Sequence, residues 1–413
     1  MAGLTRHIGL SLGADVCWPI AFTRILETMD LAIPWEGDTL RFEVERMTID
    51  PFAVREETKY DVVVDRLTHW YHTRREWIKK AVILDGVYVF NNPWSVQSME
   101  KLTTYAGMVR LGFPVPETWL VPPHSYDPVE DLEVTLQRYA RHFDLGAIGT
   151  ELGYPMFMKP YDGGGWRAVS RLVDEASLRE AYDQSGKHVM MLQQAVQGFD
   201  RFVRCVGLGP QTRPILYDDQ APLHDRYTME RGSLTEEDRY VLEGMTLIIN
   251  AFFGFDFNSC EALHADGVWQ PIDFANPCPD SQVTSLHYHF PWLIKANLRW
   301  ALFAAATNRS MKTVEWQPYF DAVEEGMTVV ERVEALLPLV HRRFDTERFH
   351  EFCATHLDHL DEVTWEWFGT DEAREAVERK VKALFPPHEV EEFTDLFHGR
   401  IQQWREDEAG GAP

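Results

Sequence analysis

The chain is 413 residues long, 45% hydrophobic and 13% aromatic, enough to bury a sizeable core in two or three domains and too apolar for a disordered protein. Its formal net charge of -25 argues against a basic nucleic-acid surface. Five scattered cysteines (Cys17, Cys205, Cys260, Cys278 and Cys353) form no Cys-x-x-Cys pair, which speaks against a zinc knuckle or disulfide framework and suits a reducing compartment. No apolar run reaches membrane-spanning length, and the first residues lack a leader-like apolar segment. The expectation is a cytoplasmic protein with neither nucleic-acid nor membrane partners.

In chain order, Ile8 to Ala14 predicts a strand, Pro19 to about Asp30 a helix, and Phe42 to Ile49 a second strand. Asp61 to Leu67 is a buried strand ending in charge, Thr73 to Leu84 a helix, and Val87 to Phe90 a further strand. Strand-helix-strand order implies a small open α/β sheet over residues 1–94. Gly9 and Gly13 lack the third glycine of a dinucleotide fingerprint. Asn91-Asn92-Pro93 makes a turn. A helix through Lys101 to about Leu111 follows, stopped by Gly112. An extended segment from Phe113 and an acidic-polar helix ending near Phe143 complete that stretch.

Pro155 to Trp166 reads Pro-Met-Phe-Met-Lys-Pro-Tyr-Asp-Gly-Gly-Gly-Trp. An apolar strand delivers Lys159 just before Gly163, Gly164 and Gly165. Glycine backbones approach an anion closely and turn several N–H groups toward it. A strand-borne lysine beside a glycine-rich flap is one way to hold a nucleoside triphosphate. A hairpin turn with a surface lysine is the other reading. Val189 to Gln194 and Phe202 to Gly207 predict strands, and Thr235 to Phe253 an amphipathic helix capped by Ser233 or Thr235. Phe255 to Glu261 and Trp269 to Asp273 flank an Asp266-Gly267 hairpin turn. That hairpin brings Glu261 and Asp273 to one mouth.

Together these segments resemble the ATP-grasp superfamily over roughly residues 55 to 280. The resemblance implies a fold of class α/β and α+β: two α+β lobes clamping ATP, preceded by the small α/β domain and followed by a helical extension. It implies a first lobe over 95–195, a second lobe over 196–292, and acidic helices over 293–413. Lys101 and Lys159 would neutralise phosphate oxygens, and the three glycines would close over them. Ala195 and Val196 would meet the adenine edge through their backbone, with Gln193 adding a side-chain contact and Asp200 taking the ribose hydroxyls. Glu261, Asp273 and Asn276 would hold Mg²⁺ as two ions, with Mn²⁺ as a substitute. Arg204 and Arg226 are the candidate phosphate-contacting arginines, with surface ion pairs as the alternative for both.

One motif departs from the family's Glu-x-Asn ending. Asp273-Phe-Ala-Asn276 has an extra residue, so plain strand alternation would place Asp273 and Asn276 on opposite faces. A bulge or the strand end must realign them. Other candidates carry less chemistry. His287-Tyr288-His289, on an expected strand, lacks a third ligand and reads as aromatic packing. Cys260 and Cys278 have no adjacent His or Lys to activate them. Asp65-Arg66 caps the sheet or touches substrate, and His69 to His72 reads as an interface contact.

From Leu293 onward, an apolar-rich helix to Ala306 precedes helical patterns near 318–340, 345–362, 371–384 and 388–405, broken by Pro338 and Pro386-Pro387. Solvated acidic faces, a substrate lid, a homodimer surface and repulsion of anionic competitors all remain open for this region. The resemblance implies an ATP-dependent carboxylate–amine ligase working through an acylphosphate, on small-molecule or peptide-like substrates. A small-molecule kinase and a nucleotide-binding scaffold without turnover are the alternatives.

Overall fold

The computed structural model describes residues 3–410 apart from 36, 69–70, 99, 163–167 and 231. The expected glycine flap (Gly163, Gly164, Gly165) and the pair His69-Trp70 therefore lie outside the described residues. The fold is mixed α/β and α+β, with three sheets and a helical carboxy-terminal region.

The first sheet contains β1 (Gly3–Ser11), β2 (Ala32–Trp35), β3 (Asp38–Arg46), β4 (Val62–Asp65) and β5 (Tyr88–Phe90), in the order β2-β3-β1-β4-β5. β1 pairs in parallel with β3 and β4, and β4 with β5, while β2 is antiparallel to β3. Parallel strands need both faces covered, and the run Val62-Val63-Val64 meets that need by alternation. Val62 and Val64 join the main core, whereas Val63 packs in a smaller cluster with Ile78 and Ala81 of helix His72–Asp85. The expected strand at 42–49 starts earlier, at Asp38, and ends at Arg46, because the preceding β2 pairs back onto it.

The second sheet contains β6 (Thr118–Val121), β7 (Met156–Pro160), β8 (Ser170–Leu172) and β9 (Met190–Gln194), all antiparallel, in the order β6-β9-β7-β8. Its core is separate, built from Val121, Met156, Met158, Leu172, Leu178 and Leu192 among others. The helix expected through Lys101 to about Leu111 spans Lys101–Arg110, the one expected to end near Phe143 stops at Tyr139, and each has an additional short helix beside it. Pro93–Ser98 precedes Lys101–Arg110, and Leu145–Leu152 follows Leu132–Tyr139 because the Asp144 carboxylate accepts from the Ala147 N–H and starts it.

The third sheet contains β10 (Arg201–Leu208), β11 (Gln211–Leu216), β12 (Phe257–Ala265) and β13 (Val268–Asp273), antiparallel in the order β11-β10-β12-β13. The Asp266-Gly267 turn joins β12 to β13 as expected, with φ of 52° and 77°. These are the left-handed values that a tight two-residue hairpin requires and that glycine adopts without strain. Helix Glu236–Phe253 covers this sheet. Its capping box pairs Thr235 with Asp238, and three acidic residues in the first turn complement the helix dipole.

Asp238 also accepts from Trp269 Nε1 (2.8 Å) on β13 and from Arg201 Nη1 (2.6 Å) on β10. Burial alone would raise this carboxyl, but the bonds from Trp269, Thr235 and Arg201 outweigh it and hold it down at about 2. A depressed carboxyl stabilises the fold above its unfolded pKa and loses that contribution as pH falls toward the folded value. Asp238→Asn is therefore expected to cost about 2 kcal/mol at neutral pH. In denaturant titrations the gap from wild type should close between about pH 4 and pH 2. A gap that persists unchanged at pH 2 would assign the loss to packing instead.

Helix Phe290–Ala306 is buried on nearly all sides, as befits a helix apolar all round. It joins the first sheet, the third sheet and the carboxy-terminal helices into one core from Ile8 to Trp404. Two expectations fail in this region. Pro338 does not break its helix but lies inside Val329–Phe344, because a Thr328–Glu331 capping box and buried Val333, Leu336, Val340 and Phe344 outweigh the lost backbone bond. His287 to His289 forms a short 3₁₀ turn, not a strand, with both histidines packed inside.

Candidate active site

Lys101 starts a helix whose first backbone N–H donates to the carbonyl of Tyr161, just past β7. One helical turn later, at i+4 on the same face, stands Tyr105. The two side chains reach across to the far end of β13. Lys101 Nζ lies 2.5 Å from Asp273 Oδ2, and the Tyr105 hydroxyl donates to the Ile272 carbonyl at 2.6 Å. Lys159 on β7 joins them. Its ammonium, 8% exposed, donates to Tyr105 Oη (2.8 Å), Gln193 Oε1 (2.8 Å) and the Ile272 carbonyl (3.1 Å). Burial pulls the Lys159 ammonium below the usual lysine range, against the pull of Asp273 and Glu261. Two lysines from the second sheet's side thus converge on the carboxylate end of the third.

A bulge makes this convergence fit. Ala262 pairs with Pro271 and Glu261 with Asp273, so Ile272 has no partner on β12. An extra residue in one strand frees its backbone polar groups from the ladder. The freed Ile272 carbonyl accepts from Tyr105 and Lys159, and the same shift sets Glu261 directly opposite Asp273.

Glu261 is paired with Arg204, its register partner on β10, at 2.8 Å from Nη2 to Oε1. Burial raises the Glu261 carboxyl, Arg204 opposes that, and the nearby Asp273 charge adds to the rise. For Asp273 burial also acts upward as the largest single influence, but Lys101 and Lys159 outweigh it and the carboxyl is lowered. Arg204 also donates to the hydroxyl of Tyr227.

Asn276 lies beyond the end of β13, where strand alternation no longer governs it. Asn258 on β12 positions it. The Asn258 carboxamide accepts from the Asn276 N–H (2.8 Å) and donates to the Phe274 carbonyl (2.9 Å) and Asn250 (2.9 Å). The Asn276 carboxamide in turn donates to the Ser259 carbonyl at 3.4 Å, two residues before Glu261. Behind this turn, Asn91 ties the first sheet to the site through the Phe257 and Pro277 carbonyls and the N–H groups of Asp256 and Phe257.

Among the described residues no group of three or more His, Cys, Asp or Glu suited to a metal occurs. The oxygen set here is two carboxylates and one carboxamide. Asp273 Oδ1 is buried without a hydrogen-bond partner among the described residues, an arrangement that is costly unless a further group satisfies it. Carboxylate and amide oxygens are the donors Mg²⁺ takes, so these residues fit that ion.

The other expected residues are spread over several elements. Gln193, with its carboxamide accepting from Lys159 and donating to Thr118 Oγ1 (3.0 Å), is committed to holding the lysine. Ala195, Val196 and Asp200 occupy the segment between β9 and β10 that joins the two sheets. The Ala195 N–H donates to the Pro155 carbonyl at 3.3 Å. Asp200 is exposed and bonds His264 Nδ1 at 2.6 Å, a contact that lowers its carboxyl. Arg226 bonds within its own loop, to the Ala221 carbonyl at 3.1 Å; its neighbour Tyr227 is the residue that meets Arg204. Cys260 is buried, and Asp65 accepts from Ser11 and from the N–H groups of Leu67 and Thr68, a cap on the sheet.

Comparison with known proteins gives similarity to ATP-grasp proteins. No family model matches the chain. Over 100 residues it is 35% identical to D-alanine–D-alanine ligase A of Chromobacterium violaceum, a stretch covering 22% of this chain and 26% of that ligase. The chain thus matches about a quarter of that relative's length. Similar solved structures include a RimK-domain ATP-grasp protein of Sphaerobacter thermophilus, with 13% identity, TM-score 0.46, and coverage of 66% of this chain and 92% of that one. D-alanine–D-alanine ligase of Bacillus anthracis complexed with ATP gives 13% identity and TM-score 0.47 over 84% of this chain and 100% of that one. Among the described residues no helix is long and apolar enough to cross a membrane.

Proposed function

We propose that the chain is an ATP-dependent carboxylate–amine ligase that releases ADP and phosphate through an acylphosphate. One observation supports it above the rest. Lys101 and Lys159, carried by the segment that builds the second sheet, reach the end of β13, where Lys101 pairs with Asp273, Lys159 bonds the Ile272 carbonyl and Glu261 stands opposite Asp273. Lysines neutralise transferring phosphates and carboxylates hold the accompanying cation. The short likeness to a D-alanine–D-alanine ligase points the same way.

In this reading Glu261, Asp273 and Asn276 would hold Mg²⁺, which when bound would neutralise β- and γ-phosphate charge. Two ions, or Mn²⁺ in their place, would use the same donors. Lys101 leaves its partner Asp273 for a phosphate oxygen, and Lys159 contributes a second fixed charge from beneath. Gly163, Gly164 and Gly165 would offer backbone amides to the phosphates. Ala195, Val196 and Gln193 border the base, and Asp200 takes the ribose hydroxyls. Arg204, already at Glu261, steadies charge near the transferring group; Arg226 approaches from the adjoining loop.

The bond from the γ-phosphorus to its bridging oxygen breaks as one to the substrate carboxylate oxygen forms. The amine then attacks the acyl carbon, phosphate leaves, and the amine's proton passes to solvent. No enzyme nucleophile is needed, since positioning and charge neutralisation supply the acceleration.

The test is product analysis with ATP, Mg²⁺ and a panel of small carboxylates and amines. Stoichiometric ADP, phosphate and amide support the ligase. A phosphorylated alcohol would replace it with a kinase. Nucleotide binding without turnover across the panel would favour a scaffold.

A further inference from the structure

Between β11 and helix Glu236–Phe253 the chain makes an irregular loop over residues 217–228. Its two ends are joined by a bridge between Tyr217 and Tyr227 and by a bond from the Asp218 N–H to the Arg226 carbonyl (2.8 Å). Its inner end carries Tyr227, 3% exposed, whose hydroxyl accepts from Arg204 and whose ring lies 5.6 Å from the Arg204 guanidinium. Arg204 in turn holds Glu261 at 2.8 Å.

The outer end of this loop is held by the carboxy-terminal helical region. Arg400, on helix Val390–Ala409, donates to the His224 carbonyl at 2.9 Å and pairs with the Asp225 carboxylate. The His224 ring sits edge-on to Phe393 (5.2 Å) and Phe397 (6.3 Å) of the same helix. His289, just before helix Phe290–Ala306, bonds the Thr228 carbonyl at 2.7 Å through Nε2. A continuous line of contacts therefore runs from Arg400 through loop 217–228 to Tyr227, Arg204 and Glu261.

We propose that the carboxy-terminal helical region is a working part of the reaction centre: Arg400 fixes loop 217–228, and the loop's Tyr227 holds Arg204 against Glu261. Tyr227 and Arg400 are positioning residues. The region's acidic outer faces are then incidental, and its task is done by the side that faces the loop. The inference rests on Glu261 as a metal ligand, because partners that orient a ligating carboxylate set the strength of the site.

The experiment is calorimetric titration with a non-hydrolysable ATP analogue, with and without Mg²⁺, on the full chain and on Tyr227→Phe, Arg400→Gln and Arg400→Lys. Amide hydrogen exchange of loop 217–228 is measured in parallel. Tyr227→Phe keeps the ring and its packing, so it isolates the hydroxyl. In Tyr227→Phe and Arg400→Gln, affinity without Mg²⁺ should stay within about twofold of wild type, while the gain from adding Mg²⁺ should shrink about tenfold. Arg400→Gln should speed exchange of the loop amides about tenfold, and Arg400→Lys should restore part of it.

A full Mg²⁺ gain in both variants, or unchanged loop exchange in Arg400→Gln, would overturn the positioning role alone. A wild type that binds the analogue with no Mg²⁺ gain would overturn the metal site and the ligase reading together.

Discussion

Asp273→Asn is expected to lower ADP formation by roughly a thousandfold, the scale of losing one charge-stabilising group from a preorganised site. The substitution preserves volume and leaves an oxygen for Lys101, which now bonds Oδ2 at 2.5 Å. It removes the negative charge and the anionic character of Oδ1, the buried oxygen that no group among the described residues satisfies. The fold should survive, because the β12–β13 ladder and the Asn258 clamp do not involve the Asp273 side chain. ADP release at saturating ATP, set beside a thermal melt, checks both halves. Turnover near wild type would remove Asp273 from the metal site. A collapsed melt would make it a structural ion pair.

Lys159→Met should separate binding from stability in the opposite sense. The buried ammonium is held by three neutral acceptors and is pushed below its ordinary range by burial. Desolvating a lysine costs several kcal/mol, and neutral partners repay it only in part. After substitution the Ile272 carbonyl still accepts from Tyr105, and Gln193 keeps Thr118, so chiefly Gln193 Oε1 is left unpaired. That loss is about 1–3 kcal/mol, smaller than the relieved desolvation. The variant is expected to melt at or above the wild-type temperature. Its affinity for an ATP analogue should nevertheless fall at least about tenfold, the worth of one charge-assisted phosphate contact. A melting temperature several degrees below wild type would show that Lys159 is a strut of the lobe contact, and unchanged affinity would exclude it from the phosphate site.

Much of the site was legible because its residues announce themselves locally. Lys159 follows an apolar run, and Glu261 and Asp273 flank an Asp-Gly turn that brings them to one mouth, although the bulge at Ile272 is what sets them opposite each other. Lys101 opens a helix that Gly112 ends with a φ of 78°. Tyr105 was findable too, since it sits one turn from Lys101. Tyr227 and Asn258 carried no such signal. The first depends on a loop pinned by a helix more than 160 positions away, and the second on a turn that closes only after β13 ends. Arg226 was drawn from the right loop, but the structure turns its neighbour toward Arg204. Pro338 misled because local propensity weighs one missing backbone bond, whereas the helix is decided by the apolar face it buries.

By itself, the sequence determined the alternating strands, the capped helices and the hairpin that sets two carboxylates at one mouth. These follow from side-chain periodicity and turn chemistry within a few residues. Only the tertiary structure decided where Asp273 and Asn276 stand at the end of β13, through a bulge at Ile272 and a clamp from Asn258. It also decided that the carboxy-terminal helices belong to the same core as the third sheet and reach the loop beside Glu261. The physical reason is that such contacts join backbone groups and buried faces distant in the chain, whose partners are chosen by packing and by the cost of leaving a polar atom unpaired.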